Sequence, residues 1–345
     1  MNLIKTSNEV PIINTLRGFA ALAVCFFHTS SYSTLSVAQI DFLNYISRYG
    51  FLGVQVFFVI SGFILPYALY KSRYETKLFF TFIFKRYIRI APAAYVSIFI
   101  ILAFFWLPKI FLNKTIRVFD PEQFSITNLP SNLLFIAAFV NKKWIISVLW
   151  TLAIEFQYYI LLGLLFNVMM KSKYNFLIIN TIFCIIGCLP FNNYGRDYFY
   201  YAPLFGMGFA TFLFTGKIID KYFYLICMLI FSAFGFFIMT QATKTFHLEL
   251  LVGVVTCLFI LFANFSNKIT DFFGNISYSL YLNHLVFSAY LDFLFKLFFK
   301  KQTTTVGNVA VVILFYLVMF LGNYLFYKII ELPFTNLSKK VLYKR

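Results

Sequence analysis

Three short stretches of this sequence carry side chains whose chemistry is at odds with their surroundings. The first, LRGFAALAVCFFHTS (residues 16–30), holds a fixed cation, Arg17, and a titratable imidazole, His28, in an otherwise apolar run. Their spacing is close to three helical turns, so both face the same way, about 16 Å apart along the axis. The second, FIFKRYIRIAPAAY (82–95), puts Arg86 and Arg89 on one helix face. Guanidiniums pair bidentately with phosphate, so two together can grip a polyphosphate. A plain anchor to lipid headgroups fits the same two residues. The third, SVLWTLAIEFQYYI (147–160), encloses Glu155 between Trp150 and the pair Tyr158 and Tyr159. A lone carboxylate in such a helix needs a partner or a proton. Arg17 or Arg89 would supply a structural ion pair. Alternatively, the carboxylate orients a neighbouring imidazole, as in the base-plus-orienter arrangement of hydrolases. The residues alone leave both readings open.

The weaker candidates have plainer readings. His284, in ISYSLYLNHLVF, reads as a hydrogen-bonding residue between helices. His247 reads as a solvated helix end. Asp292 with Lys296 one turn on reads as a local ion pair. Ser61 and Gly62 read as small residues that allow close helix packing. No GxSxG elbow, P-loop, HExxH or cysteine-based zinc spacing occurs, which removes ordinary serine hydrolases, nucleotide-driven pumps and zincins.

The elements that must position these residues are transmembrane helices. The chain is 61% hydrophobic and only 12% charged, with a mean hydropathy of +0.81. Soluble domains carry about 25% charged residues, so this is a polytopic membrane protein. Ten apolar segments are long enough to read as helical spans: 12–30, 51–70, 81–107, 145–168, 174–190, 198–215, 221–240, 246–264, 272–298 and 306–330. A shorter piece, 132–140, reads as re-entrant or interfacial; were it to span, everything after it would invert. No linker or repeat divides the chain, so residues 1–345 read as one all-α domain.

Charge sets orientation. The net charge of +17 belongs to the loops of a membrane protein, and no free-standing basic tract points to nucleic acid. Lys71–Lys77 with Lys85 and Arg86, Lys171–Lys173, Lys217–Lys221, Lys268 and the tail Lys339–Arg345 all fall on one side of a ten-span chain. Arg48, Arg196 and Lys244 are left on the other. Both termini are therefore expected to be cytoplasmic. The N-terminus lacks a cleavable signal pattern, so the first span is expected to be retained. Five cysteines, all within apolar runs, read as small packing residues.

Taken in order, these stretches resemble the membrane acyltransferase-3 family. Arg17 and His28 resemble its first-helix signature, and GVQVFFVISGFIL (53–65) its second helix. Arg86-Tyr-Ile-Arg89 before Pro92 resembles its Arg-x-x-Arg motif. WTLAIEFQYY (150–159) matches its acidic segment at Glu155. ISYSLYLNHLVF (276–287) and IIELPFTNL (329–337) resemble its late Tyr-Leu-x-His and Glu-x-Pro segments. Many relatives have two adjacent acids where this chain has Glu155 and Phe156, and many carry a further hydrolase-like domain that this sequence lacks.

The resemblance implies an acyl-CoA donor, usually acetyl-CoA, as co-substrate, with no tightly bound cofactor. It implies a hydroxyl acceptor on a bacterial surface polysaccharide or lipid-linked sugar, and residence in the bacterial cytoplasmic membrane. Arg86 and Arg89 would hold the CoA phosphates, and Arg17 would close the polar path below His28. His28 would be the general base and Glu155 its orienter; an acyl-His28 intermediate is the other path. A lipid-linked sugar or polysaccharide transporter would also need charges in its spans, but the paired broken helices of such folds are not evident. A non-catalytic scaffold would tolerate loss of His28 and Glu155.

Overall fold

The computed structural model describes residues 11–32, 41–112, 121–189, 197–240, 245–298 and 305–341, and every regular element among them is helical. Fourteen α-helices follow one another: α1 Pro11–Tyr32, α2 Asp41–Ser47, α3 Gly53–Lys71, α4 Phe79–Leu112, α5 Leu129–Leu133, α6 Leu149–Met169 and α7 Lys173–Gly187, then α8 Tyr198–Thr215, α9 Lys221–Thr240, α10 Phe246–Phe262, α11 Lys268–Asn275, α12 Ser277–Phe298, α13 Thr305–Phe326 and α14 Leu332–Lys340. A π-helical stretch, Tyr327–Glu331, joins α13 to α14.

All ten predicted segments are helices, but six helical stretches among the described residues are long and apolar enough to cross a membrane. They include α1, α3, α4, α6, α9 and α13. Helices α7 and α10 are apolar but shorter than the ~20 residues a bilayer core needs. Helix α12 has the length, yet Asn283, His284, Ser288 and Asp292 interrupt its apolar sequence. The short piece 132–140 does not span. It folds as α5 and a 3-10 turn, Ala137–Val140, and reverses at Asn141 in the left-handed region. Asn132 staples it: its amide donates to the Asn128 and Lys143 carbonyls, and its oxygen accepts from the Ile145 N–H at 2.8 Å.

Apolar side chains fill the interior and also cover the outside, where Phe80, Ile178, Leu229 and Leu321 are exposed as a lipid-facing surface requires. In lipid the helices hold together by close packing, and small residues set how near backbones come. Helices α3 and α8 pack most intimately. A Cβ on Gly62 would lie 2.2 Å from the Phe205 carbonyl oxygen, and one on Gly208 2.1 Å from that of Val59. No larger residue fits either place. This approach fixes the rotation of α3 and so the direction of the adjacent Ser61.

The predicted basic loops meet at one end of the bundle. Lys173 Nζ lies 3.2 Å from Asp220, joining the α6–α7 and α8–α9 connections. Lys85 Nζ donates to the Val341 carbonyl at 3.2 Å, tying the start of α4 to the chain after α14. Arg196, Lys244, residues 1–10 and 342–345, and the Lys296 side chain lie outside the described residues.

Candidate functional site

A cavity of about 690 Å³ opens among α1, α3, α4, α6, α12 and α14. Arg17, Arg86, Arg89, Glu155 and Glu331 all line it. The chain thus places three guanidiniums and three carboxylates, Asp271 being the third, in one cleft of an otherwise apolar bundle, where each would be costly alone. Lys339 and Thr335 of α14 also line it, beside the basic end of the molecule.

Glu155, Glu331 and Arg86 each have identified neighbours. Glu155 accepts hydrogen bonds from Ser61 Oγ at 2.6 Å and from the Tyr159 hydroxyl at 2.8 Å. The Tyr159 ring lies 5.9 Å from the Arg86 guanidinium carbon, and the Phe82 ring 5.5 Å from it, on the π-faces that suit a cation. Tyr159 therefore links Arg86 to Glu155 one helical turn along α6. Glu331 accepts from the Ser279 N–H at 3.1 Å and from Ser279 Oγ at 2.6 Å. Arg17 lies within electrostatic reach of Arg89, Glu331 and Glu155. The Tyr278 hydroxyl donates to the Ile90 carbonyl at 2.8 Å, pinning α12 to α4 beside Arg89.

His28 does not line this cavity. Its ring stacks on that of His284 with centroids 5.1 Å apart and planes 30° off parallel. Tyr281, which lines the cavity, has its ring 6.2 Å from that of His284. The Tyr281 hydroxyl lies 2.8 Å from Thr151 Oγ, and its ring meets Phe57 edge-on at 5.4 Å; all three residues line the cavity. The expectation paired Glu155 with His28. The structure brings Glu155 together with the three arginines, and places His28 with a second histidine.

Several residues here had a lesser role in the sequence reading. Ser61 sits beside the close α3–α8 contact, as its small size suggests, and its hydroxyl serves Glu155. Glu331 appeared only within a motif. The relation of His284 to His28 depends on how α1 crosses α12, which no local spacing encodes. His247 is exposed, as its position at the start of α10 suggests.

A membrane bundle with a charged cleft is the fold in hand, and the chain belongs to the acyltransferase-3 family: the family's acyltransferase domain model matches residues 10–328. It is similar to ORF330 of Acidianus two-tailed virus, whose name carries acetyltransferase as an unproven assignment, at 26% identity over 82% of this chain and 85% of that protein. It is similar also to the O-acetyltransferase OatA of Staphylococcus aureus, at 26% identity over 51% of this chain and 28% of OatA. The chain thus matches under a third of that longer relative. No solved structure matches it. It is an integral membrane protein of acyltransferase kind.

Proposed function

We propose that the protein is a membrane O-acetyltransferase that moves an acetyl group from acetyl-CoA to a hydroxyl of a cell-surface polysaccharide or lipid-linked sugar. The observation that carries this reading is the convergence of Arg17, Arg86 and Arg89 on a cavity whose lining residue Tyr281 neighbours the stacked imidazoles of His284 and His28. CoA is a polyanion on a long, thin, uncharged arm. Its phosphates suit the guanidinium cluster, where bidentate pairing is available. The arm would extend along α1 toward His28, over the rise of about 16 Å between the two ends of that helix face.

In the transfer, neutral His28 takes the proton from the attacking sugar hydroxyl as its oxygen forms a bond to the thioester carbonyl carbon. Collapse of the tetrahedral intermediate breaks the carbon–sulfur bond. The CoA thiolate takes the proton back from His28, leaving an O-acetyl ester and free CoA. Glu155, given its partners, acts in this scheme by fixing Arg86 through Tyr159 and balancing the arginine charge. We place both termini in the cytoplasm, so that the arginine end faces the acetyl-CoA pool of a bacterial cytoplasmic membrane and His28 the acceptor side.

The test is transfer of labelled acetyl from acetyl-CoA to an alkali-labile product in membrane vesicles, with wild type and His28→Ala at matched expression. The reading expects transfer by wild type and its loss in the variant. Unchanged transfer in His28→Ala removes His28 from the chemistry; no transfer by wild type in the presence of lipid-linked sugars removes the reading.

A further inference from the structure

Helix α12 carries a polar seam that continues past the cavity. Tyr281, His284, Ser288 and Asp292 are spaced by three or four residues, so they share one helix face, and all four are buried. Tyr281 lines the cavity, and His284 stacks on His28. Ser288 lies one turn farther along, on the side away from the arginines.

Two atoms on this seam have a hydrogen-bonding capacity that the described residues do not fill. His284 Nδ1 lies 3.0 Å from the Leu280 carbonyl oxygen. A carbonyl only accepts, so Nδ1 carries the hydrogen and Nε2 keeps its lone pair. That Nε2 is buried with no partner, and so is Ser288 Oγ. Buried hydroxyls elsewhere in the bundle fold back onto the carbonyl one turn earlier: Ser97 onto Ala93, Thr211 onto Met207 and Thr256 onto Val252, at 2.7–3.0 Å. Ser288 makes no such bond. A buried polar atom left without a partner is costly. Two of them one turn apart on one face, against His28, need a functional reason.

We propose that His284 and Ser288 form the acceptor subsite, which takes a sugar by two of its hydroxyls. This rests on the acetyl-transfer reading above. His284 Nε2 accepts a hydrogen bond from one hydroxyl and Ser288 Oγ bonds its neighbour. The ring stack sets the attacking oxygen beside His28. A vicinal diol satisfies both atoms at once, one hydroxyl donating to Nε2 and its neighbour pairing with Ser288 Oγ. A fixed Nε2 acceptor also suits an uncharged His284, which can lie on a protonated His28 without like-charge repulsion.

The experiment uses the full-length protein in nanodiscs and tritiated octyl β-D-glucoside below its micellar concentration, with empty discs subtracted. Wild type is expected to bind the glycoside. His284→Phe and Ser288→Ala should each weaken binding about tenfold, a loss of ~1.4 kcal/mol. His284→Gln, whose amide oxygen replaces the lone pair, should retain most of it. Binding of CoA to the same samples should be equal throughout, which separates a lost subsite from a lost fold. The proposal is overturned if wild type binds no more glycoside than empty discs, or if both variants bind as wild type does. Labelled acetyl-CoA in the same discs tells the two readings apart. Glycoside binding that depends on His284 and Ser288 without acetylation keeps the subsite and removes the transferase reading. Acetylation with an unchanged glycoside KM in both variants does the reverse.

Discussion

Ser61 Oγ donates to Glu155 Oε1 at 2.6 Å, joining α3 to α6 across the charged cavity. A hydrogen bond to a charged group contributes about 1.5–3 kcal/mol, more than a neutral one. Ser61→Ala should free the carboxylate to rotate and loosen the Tyr159–Arg86 arrangement behind it. The expected result is a rise in the KM for acetyl-CoA of about tenfold or more, with a smaller fall in kcat. A donor titration in vesicles measures it. A variant altered in kcat alone would place Glu155 in the chemical step rather than in donor binding.

Arg86 rests on two aromatic faces, a setting in which lysine is a poor substitute. An ammonium keeps the charge but loses the planar stack and the bidentate grip. Arg86→Lys should therefore raise the KM for acetyl-CoA by about tenfold, or ~1.4 kcal/mol. With acetyl-dephospho-CoA the gap between variant and wild type should narrow if Arg86 holds the ribose phosphate. A gap of the same size for both donors would assign the residue to the pyrophosphate.

Asp220, in the α8–α9 connection, gives a pH dependence. Its carboxylate accepts from the Phe223 N–H at 3.0 Å and from Lys173 Nζ at 3.2 Å, and these bonds, the backbone one foremost, hold its pKa below the ordinary value of 3.8. A depressed folded-state pKa means that the stabilisation is fully present above the unfolded value. It is lost as pH falls below 3.8 and through the lower folded value. Asp220→Asn should lower the thermal midpoint at neutral pH, and the difference from wild type should vanish in strong acid. Scanning both proteins across that range checks it; a gap that persisted in acid would show that the carboxylate's charge is not its source.

The helical membrane character was legible because the signal is strong and local: apolar runs of nearly bilayer length, cut by basic loops. The gathering of Arg17, Arg86, Arg89 and Glu155 was half-legible. Each stands out as a charge in grease, and charges in grease must find one another. Of the two partners the sequence leaves open for Glu155, the arginine cluster is the one that shares its cavity, and sequence ranks partners by chemistry alone. An imidazole and an arginine cluster are equally plausible until helix rotations are known. Those rotations rest on contacts such as Gly62 against Phe205 and Gly208 against Val59, between residues more than a hundred positions apart. The His28–His284 stack is of the same kind, as is the tie from Ser279 to Glu331. Nothing within one helix foretells them.

The length of α4 has a mechanical consequence. At 34 residues it measures about 51 Å, against about 30 Å of hydrocarbon in an ordinary bilayer. Such a rod leans or protrudes, and Arg86 and Arg89 ride on it two to three turns from its start. Hydrophobic mismatch then becomes a control on the site: a thicker or thinner membrane changes the lean of α4, and with it the depth at which the two guanidiniums meet water. Reconstitution into lipids of graded acyl length would move the protein's affinity for an anionic donor without touching a single side chain.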